Sequence, residues 1–288
     1  MSVDEYRKRE RAHLLRKRRE KVMPVDVGLP GGLRRRTPGL RREEVAVLAG
    51  VSPTWYTYLE QARDVSPSPE VLDNLATVLG LTAYERKYLH NLSREIPSAE
   101  PETGRCIEFR APLQELTASL DPIPAYICAN SGDLLSWNRA AAEWLADFEY
   151  VPENRRNILV WMLTAETARE RFVDWEARSQ HLVARFRAEV ANSQDSPRVT
   201  QLIKELSAES PLFRRWWDEH IVAGPDSTAY LMRRPHYGVV PVRTVELLYR
   251  EVSGCAKMVL HMPTGDLARI TVPHELPGTF RKDWSGVR

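Results

Sequence analysis

The sequence predicts an α+β fold, in which an all-helical N-terminal part precedes a part that combines an antiparallel sheet with helices. Apolar residues at helical spacing, together with capping residues, define five short helices before residue 94. Short strand patterns then lie on both sides of a helical block at 156–220. Strands that flank such a block predict one antiparallel sheet that is closed from both chain ends.

The first helix is predicted at 3–22, where Leu14, Leu15 and Val22 lie near helical spacing among many Arg and Lys residues. The stretch MPVDVGLPGGLRRRTPGL follows it and contains three prolines and four glycines. This composition predicts a loop between the first helix and the rest of the N-terminal part.

The next two helices, at 41–49 and 53–63, are separated at Gly50. Glycine adopts the left-handed conformation without strain, so Gly50 can end one helix and open a tight turn. Ser52 is a suitable N-cap for the following helix, and Pro53 suits its first turn. Two helices joined in this way predict a helix-turn-helix.

Two further helices are predicted at 69–79 and from Thr82, where Thr82 and Glu85 have capping-box spacing. The apolar residues of the last four helices are expected to pack into one core. They are Val45, Leu48, Tyr56, Leu59, Leu72, Leu75, Leu79 and Leu89.

The charge is unevenly distributed along the chain. The net charge is +2, but residues 1–44 hold fourteen Lys or Arg and seven Asp or Glu, a balance of +7. Basic charge concentrated at one end favours a polyanionic partner, and DNA phosphate is the obvious candidate. A solvated basic helix with a solvated loop is the alternative.

The second part begins with a strand, turn, strand and helix pattern at 124–145, in which the helix starts at Asn138. The block at 156–220 is predicted to contain at least four helices. Three more strands are predicted at 228–234, 243–252 and 257–262.

The segments RRTPGLRREEVAVLAGVSPTWYTYLEQAR and SPEVLDNLATVLGLTAYERKYLHNL resemble the XRE/lambda-repressor-like helix-turn-helix family, and more closely its MmyB-like branch. The segments GDLLSWNRAAAEWL, RRNILVWML, DWEARSQHLVARFRAEV and ELSAESPLFRRWWDEH resemble the ligand-binding domain of the same regulators, a PAS-like sheet with a long helical insertion. The resemblance covers about 10–262, and the end of the chain departs from it. It implies a sequence-specific, DNA-binding transcription regulator with a ligand-binding domain.

The resemblance also implies that the second helix of the motif enters the major groove. Its exposed side chains are then expected to face the base edges. Two arginines at the start of the preceding helix are expected to bind phosphate, and three on the basic loop are expected to follow the backbone or enter a minor groove. The candidate DNA-binding residues are Ser52, Thr54, Trp55, Tyr58, Arg41, Arg42, Arg34, Arg35 and Arg36. The alternatives are that the two aromatic rings pack on the upstream loop and that the loop arginines are solvated.

Six of the eight tryptophans lie between 137 and 217, interleaved with phenylalanines. Such rings usually form a core, but they also line pockets for apolar or amphipathic ligands. The resemblance implies a fatty-acid-like ligand, whose carboxylate would require an arginine. The candidate ligand-binding residues are Trp137, Asn138, Arg156, Trp161, Phe172, Trp175, Arg178, Leu182, Arg185, Phe186, Phe213, Trp217 and His236, with Arg187 as a further candidate cation.

The sequence lacks the nucleophile, phosphate-loop, dinucleotide and metal-spacing motifs of common enzyme families, so a catalytic site and a metal site are not expected. No cofactor is expected other than a bound fatty-acid-like ligand. The three scattered cysteines and the charged N-terminus favour a cytoplasmic protein without a membrane segment. A homodimer on a two-fold operator is expected. The alternative to a ligand-binding domain is a ligand-free dimerisation or protein-interaction module.

The expected organisation has four segments. A helix-turn-helix domain is expected at 1–93 and a linker at 94–105, which is polar and contains two prolines. A PAS-like ligand-binding domain is expected at 106–275, followed by a tail at 276–288.

Overall fold

The computed structural model describes residues 3–30, 39–93, 110–191, 196–226, 228–235, 238–251 and 254–264. Within these ranges the chain forms twelve α-helices and five antiparallel strands, which confirms the predicted α+β class. The helices are α1 (Val3–Lys21), α2 (Arg42–Ala49), α3 (Pro53–Glu60), α4 (Pro69–Val78), α5 (Ala83–Ser93), α6 (Arg110–Ala118), α7 (Arg139–Trp144), α8 (Ile158–Thr164), α9 (Glu166–Arg171), α10 (Trp175–Val190), α11 (Pro197–Glu209) and α12 (Pro211–Asp218). The strands are β1 (Ala125–Ala129), β2 (Leu134–Trp137), β3 (Tyr230–Arg234), β4 (Gly238–Glu251) and β5 (Gly254–Pro263).

The helices α1–α5 form the N-terminal domain around one apolar core. Seven of the eight residues predicted for this core are buried, and they pack with residues of α1 such as Leu14 and Leu15. The prediction for Leu48 is wrong, because its side chain is 38% exposed. The helix α2 turns the face formed by Val45, Ala46 and Ala49 to the core, which leaves Leu48 at the border of that face.

Much of the basic charge of α1 is paired inside the N-terminal domain. Nε of Arg19 donates to Oε1 of the buried Glu60 at 2.5 Å. Arg18 pairs with Glu85, another buried carboxylate, and Arg9 pairs with Glu5 along the helix surface. The basic excess of the N-terminal segment is therefore not by itself a patch that faces phosphate.

The helix α5 begins with the predicted capping box. The backbone N–H of Glu85 donates to Oγ1 of Thr82 at 3.3 Å, and the N–H of Thr82 donates to Oε2 of Glu85 at 3.0 Å. Each side chain thus pairs one backbone N–H that the first helical turn leaves free.

The five strands form one sheet in the order β2-β1-β5-β4-β3. The last strand, β5, lies in the middle and pairs with β1 on one side and with β4 on the other. The sheet is therefore closed from both ends of the domain, as predicted. The strand β4 begins earlier than predicted, at Gly238, because its ladder with β3 reaches the pair Arg234 and Gly238. The strand β5 begins earlier, at Gly254, because its ladder with β4 reaches the pair Glu251 and Gly254.

Different helices pack on the two faces of the sheet. Directly paired residues share a face, so Tyr126, Glu246 and Val259 lie on the inner face, toward the helices of the insertion. The outer face of β1 and β2 is covered by α6, which is anchored by a 2.6 Å hydrogen bond between the hydroxyls of Thr117 and Ser136. The sequence did not predict α6, whose Pro112 reads as a breaker but lies in the first turn, where proline is tolerated.

The outer face of β3 and β4 carries exposed apolar side chains. Leu231, Val239, Val245 and Leu247 are each between 39% and 57% exposed. They alternate with inward residues along the two strands, and the exposed Arg233 and Arg243 lie between them on the same face. We call this arginine-interrupted set of apolar side chains the apolar strip. Among the described residues, no helix has the length and apolar character that crossing a bilayer requires.

Candidate functional site

The turn between α2 and α3 has the geometry that the sequence predicts. Gly50 has a φ of +73° and ends α2, and a Cβ at this position would meet no heavy atom within 4 Å. Oγ of Ser52 accepts the backbone N–H of Trp55 at 3.2 Å, which caps α3. Tyr56 and Leu59 anchor α3 in the core, so the opposite side of the helix faces outward.

The exposed side of α3 carries four of the predicted DNA-binding residues. Ser52 and Thr54 are exposed, and Tyr58 is 37% exposed. Trp55 is half-buried and packs against the helical core, so only part of its side chain is accessible on this surface. The hydroxyl of Thr54 and that of Tyr58 are hydrogen-bonding groups on a rigid helix surface.

Arg63 was not among the predicted DNA-binding residues, yet it lies on the same surface. Its guanidinium stacks over the ring of Tyr58, 4.5 Å from the ring centre. The sequence carried no spacing signal for this contact, because Arg63 follows the end of α3 at Glu60 and neighbours on one helix face are three or four residues apart. The stack holds a cation beside the recognition surface.

The two arginines at the start of α2 differ in their surroundings. Arg41 is exposed, and its backbone N–H donates to Oε2 of Glu44 at 2.7 Å. Arg42 is half-buried, and its Nε donates to Oε2 of Glu60 at 2.7 Å. Arg42 therefore neutralises a buried carboxylate, whereas Arg41 is directed to the solvent. Arg34, Arg35 and Arg36 lie outside the described residues.

A cavity of about 50 Å³ lies between the inner face of the sheet and the helices α8 and α10. This volume has room for only a few water molecules. The structure brings together five of the predicted ligand-binding residues in its wall. They are Trp161, Phe172, Arg178, Leu182 and Arg185.

One wall of the cavity is apolar. Leu145, Ile158, Met162 and Val259 join the predicted aromatic residues there. The rings of Trp137, Phe148, Trp161, Phe172 and Tyr230 form a chain of edge and stacked contacts that leads to this wall. The aromatic residues of the sequence are thus partly core and partly cavity wall.

The rest of the lining, on β4, β5 and α10, is polar, and its charges are balanced. We call these residues the polar wall: Arg178, His181, Arg185, Thr244, Glu246 and His261. Arg185 forms a bidentate ion pair with Glu246, and its Nη2 donates to Glu189 at 3.0 Å. Burial opposes the charge on Arg185, but the hydrogen bond to Glu246 and the nearby carboxylates outweigh it and raise the pKa of the guanidinium. Nη1 of Arg178 donates to Asp226 at 3.1 Å, and its guanidinium lies 4.0 Å from the ring centre of Tyr230.

His261 belongs to a hydrogen-bonded chain at the polar wall. Oγ1 of Thr244 donates to the hydroxyl of Tyr230 at 3.2 Å, which leaves that hydroxyl to donate to Nδ1 of His261. Burial lowers the pKa of His261 to about 4, so the ring is neutral at pH 7. The neutral tautomer assigned in this way carries its proton on Nε2.

A second neutral histidine lies in the same wall. Burial and the neighbouring charges of Arg178 and Arg185 lower the pKa of His181. Nε2 of His181 and Nε2 of His261 are both buried, and neither has a hydrogen-bond partner among the described residues. Buried polar atoms usually have partners, so these two nitrogens mark a place for a polar group of a ligand or for water.

Several predicted ligand-binding residues lie away from the cavity. Asn138 caps α7, where its Oδ1 accepts from Ala141 N at 2.8 Å and its Nδ2 donates to Ile123 O at 2.8 Å. Arg156 donates to the carbonyls of Val151 and Glu149 and stacks on Trp137. His236 lies outside the described residues.

The remaining predicted rings are structural contacts. Nε1 of Trp175 donates to Met162 O at 2.7 Å, which fixes the start of α10 to α8. The ring of Trp217 stacks on Phe213 and makes a tilted contact with Phe186, which joins α10 to α12. Arg187, the further candidate cation, lies in this second cluster and does not line the cavity.

Nine residues of the cavity wall were not predicted. They are Tyr126, Leu145, Ile158, Met162, His181, Thr244, Glu246, Val259 and His261. Most lie on the strands or on α8, and their meeting depends on the sheet register. The alternation of polar and apolar residues in KMVLHM was the local signal for His261, since it places a histidine on the same face as Val259.

Two family profiles match the chain. The MmyB-like transcription regulator ligand binding domain matches residues 109–268, and a helix-turn-helix domain matches residues 10–89. A comparison with curated proteins gives no match. Both profiles describe parts of a transcription regulator and neither describes an enzyme. The described ranges contain no group of three or more His, Cys, Asp or Glu residues that could hold a metal ion.

Proposed function

The chain belongs to the family of MmyB-like transcription regulators, which combine a DNA-binding domain with a ligand-binding domain, and from this premise we propose that an amphipathic, fatty-acid-like ligand in the cavity controls its binding to DNA. The proposal adds a ligand class, a binding mode and a dimeric state to the family assignment. The observation that carries it is a cavity lined both by apolar side chains and by donors of Arg178 and His261.

The hydrogen-bond donors of the polar wall are suited to an acceptor group at one end of a ligand. The neutral His261 offers Nε2–H, and a buried polar atom without a partner costs about 1–3 kcal/mol. A guanidinium has five N–H donors, and the hydrogen bond from Arg178 to Asp226 uses one donor, on Nη1. A carboxylate or a hydroxyl head group can therefore bind His261 and Arg178 together.

The apolar wall is suited to an acyl chain. Trp161, Met162, Phe172 and Leu182 offer flexible or aromatic surface beside the donors. Because the cavity has a volume of only about 50 Å³, a chain of ten or more carbons enters by displacing these side chains. Met162 and Leu182 can change rotamer more easily than the aromatic rings, so we place the chain along them.

Binding of dodecanoate, hexadecanoate and dodecanol to the full chain tests the ligand class. Isothermal titration is expected to show saturable binding of at least one acid, and Arg178→Met is expected to weaken the acid more than the alcohol. Arg215→Met is the matched control, because Arg215 is an exposed arginine on α12 whose ion pair with Glu176 is also exposed. Absence of binding for all three probes, together with no extractable lipid in the purified protein, contradicts the ligand class.

The DNA-binding surface in this proposal is the exposed side of α3 with the start of α2. Thr54 and Ser52 are placed at base edges, and Arg41 is placed at phosphate. Tyr58 and Arg63 extend this surface, and their stack suits contact with sugar and phosphate. A binding site selected from a random DNA pool is expected to contain two half-sites related by a two-fold axis.

We place the homodimer on the apolar strip of β3 and β4. Leu231, Val239, Val245 and Leu247 expose apolar area on one face, and a two-fold operator requires two copies of α3. The double change Val245→Lys and Leu247→Lys is expected to give monomers in light scattering with an unchanged circular dichroism spectrum. A protein that stays dimeric after this change has its interface elsewhere.

The same strip supports a second candidate, in which the C-terminal domain is a ligand-free interaction module. The small cavity and the exposed apolar strip both favour it. The titration separates the two candidates, because a module of this kind binds none of the three probes.

A further inference from the structure

The N-terminal domain contacts the ligand-binding domain through a buried polar cluster. Nη1 of Arg187, on α10, pairs with Oε2 of Glu10 on α1, and the side chain of Arg187 is 1% exposed. Nε2 of His220 lies 3.0 Å from the same oxygen, which also accepts from the hydroxyl of Tyr88 at 3.0 Å. The guanidinium of Arg187 lies 3.9 Å from the ring centre of Trp217.

The charges in this cluster are held inside the protein. Burial opposes ionisation of Glu10, but the hydrogen bond from His220 and the charge of Arg187 outweigh it and lower the pKa of the carboxyl to about 2. A buried ion pair contributes little net stability compared with apolar packing, yet the loss of one partner is strongly destabilising. Such a pair therefore fixes one relative position of the two elements that carry it.

Apolar contacts surround the polar cluster. Ala191 and Val222, from the C-terminal domain, are buried in the core of the N-terminal domain. Gly224 lies against the ring of Tyr84 on α5, where an added Cβ would be 2.0 Å from Cε1 of that ring. The two domains are thus in close packing contact rather than loosely apposed.

The helix α10 has one face on the cavity and another on the N-terminal domain. Arg178, Leu182 and Arg185 line the cavity at a spacing of about one helical turn. Arg187 follows Arg185 by two residues, which is about 200° around the helix, so it points to the other side. Arg185 holds Glu246 of the sheet while Arg187 holds Glu10 of α1.

We propose that α10 transmits the state of the cavity to the DNA-binding domain through the Glu10–Arg187 contact. A ligand that enters the small cavity displaces Leu182, Arg178 or Arg185, and the rigid helix carries that displacement to Arg187. Among the described residues, the polar cluster draws on α1 and α5 of the N-terminal domain and not on the recognition helix α3, so the ligand changes the position of the domain without covering its DNA surface. This inference rests on the proposed function for its ligand.

The thermodynamic requirement is a difference in ligand affinity between two positions of the N-terminal domain. A ligand that binds both positions equally shifts nothing. Couplings between two sites typically change affinity by 5-fold to 150-fold. We therefore expect saturating dodecanoate to change the DNA affinity of the wild-type chain by at least about fivefold.

The test measures the ratio of the dissociation constants for a selected DNA site with and without saturating dodecanoate. The variants are Arg187→Met, Glu10→Gln and the double variant. Each single variant leaves one buried charge without its partner, whereas the double variant removes both charges, so we expect the double variant to fold even where a single variant does not. Arg215→Met is again the control, because Arg215 belongs neither to the cavity wall nor to the domain contact. We expect the ratio to fall to about one in the double variant while its affinity for dodecanoate is unchanged.

Two results overturn the inference and leave ligand binding intact. One is a ratio of one for the wild-type chain despite bound dodecanoate. The other is a double variant whose ratio equals that of the wild-type chain. If none of the three probes binds and no lipid is extracted from the purified protein, the ligand class of the proposed function fails, and Leu182→Trp replaces the ligand by filling the cavity. That change is expected to alter hydrogen exchange in α1, and not to do so when Arg187→Met is also present. Unchanged exchange in α1 with Leu182→Trp also refutes the coupling.

Discussion

Protonation of His261 is expected to destabilise the ligand-binding domain in acid. Its pKa is lowered to about 4 by burial, whereas an unfolded histidine titrates near 6.5. Between these values the unfolded chain binds more protons than the folded chain, so stability falls as the pH falls from 6.5 to 4. A difference of about 2.5 pKa units, at 1.36 kcal/mol each, corresponds to a loss of about 3 kcal/mol.

The assay is urea unfolding followed by tryptophan fluorescence, at intervals from pH 7.5 to pH 4. His261→Phe removes the titrating group, so the difference between the wild-type and variant free energies of unfolding isolates it from the carboxylates. We expect this difference to change by about 3 kcal/mol across the window. His90→Gln is the matched control, because His90 lies on α5, partly exposed, beside Asp73. A flat difference curve for His261→Phe would falsify the assignment of a buried, neutral ring.

Four further results are expected. Thr54→Ala should relax the preference for one base at one position of the DNA site. Arg41→Ala should weaken binding to all DNA sequences alike and reduce the slope of log affinity against log salt concentration by about one. Both are measured by fluorescence anisotropy. Equal, sequence-independent losses for both would contradict their separate roles. Gly50→Ala should destabilise the N-terminal domain by about 1–3 kcal/mol through strain alone, because the φ there is +73° and no atom crowds the site. Leu59→Ala should cost about 2–5 kcal/mol in the same domain, and an effect below 1 kcal/mol in chemical denaturation would show that its core is loosely packed.

The sequence does not distinguish Arg41 from Arg42 as a phosphate contact. Its place at the start of a helix predicts a phosphate contact, and so does the place of Arg41. The structure distinguishes them, because Glu60 from α3 approaches Arg42 at 2.7 Å and leaves Arg41 to the solvent. A carboxylate eighteen residues away along the chain decides which cation is available, and no local spacing reports that approach.

The residues of the cavity wall could also be predicted only in part. Trp161, Phe172 and Leu182 were accessible from the sequence as apolar residues in a helical block. Of the polar wall, Arg178 and Arg185 were predicted from the sequence, but Thr244 and His261 were not, since they reach the wall through the pairing of β4 with β5. Asn138 was predicted at the ligand and instead caps a helix, because its position just before α7 gives its amide oxygen two backbone partners first.

Local patterns in the chain were sufficient for the elements themselves. Helical periodicity, the glycine turn at Gly50 and the capping box at Thr82 act within a few residues, so the sequence determined the five N-terminal helices and the helix-turn-helix. The strand patterns around the helical block determined the α+β class in the same way.

Only the tertiary structure decided which distant polar groups meet. The Glu10–Arg187 contact joins residues 177 positions apart, and the cavity joins three strands to two helices of the insertion. These contacts depend on the orientation of the packed helices and on the register of the strands. Both are set by the whole core rather than by the residues that form the contact.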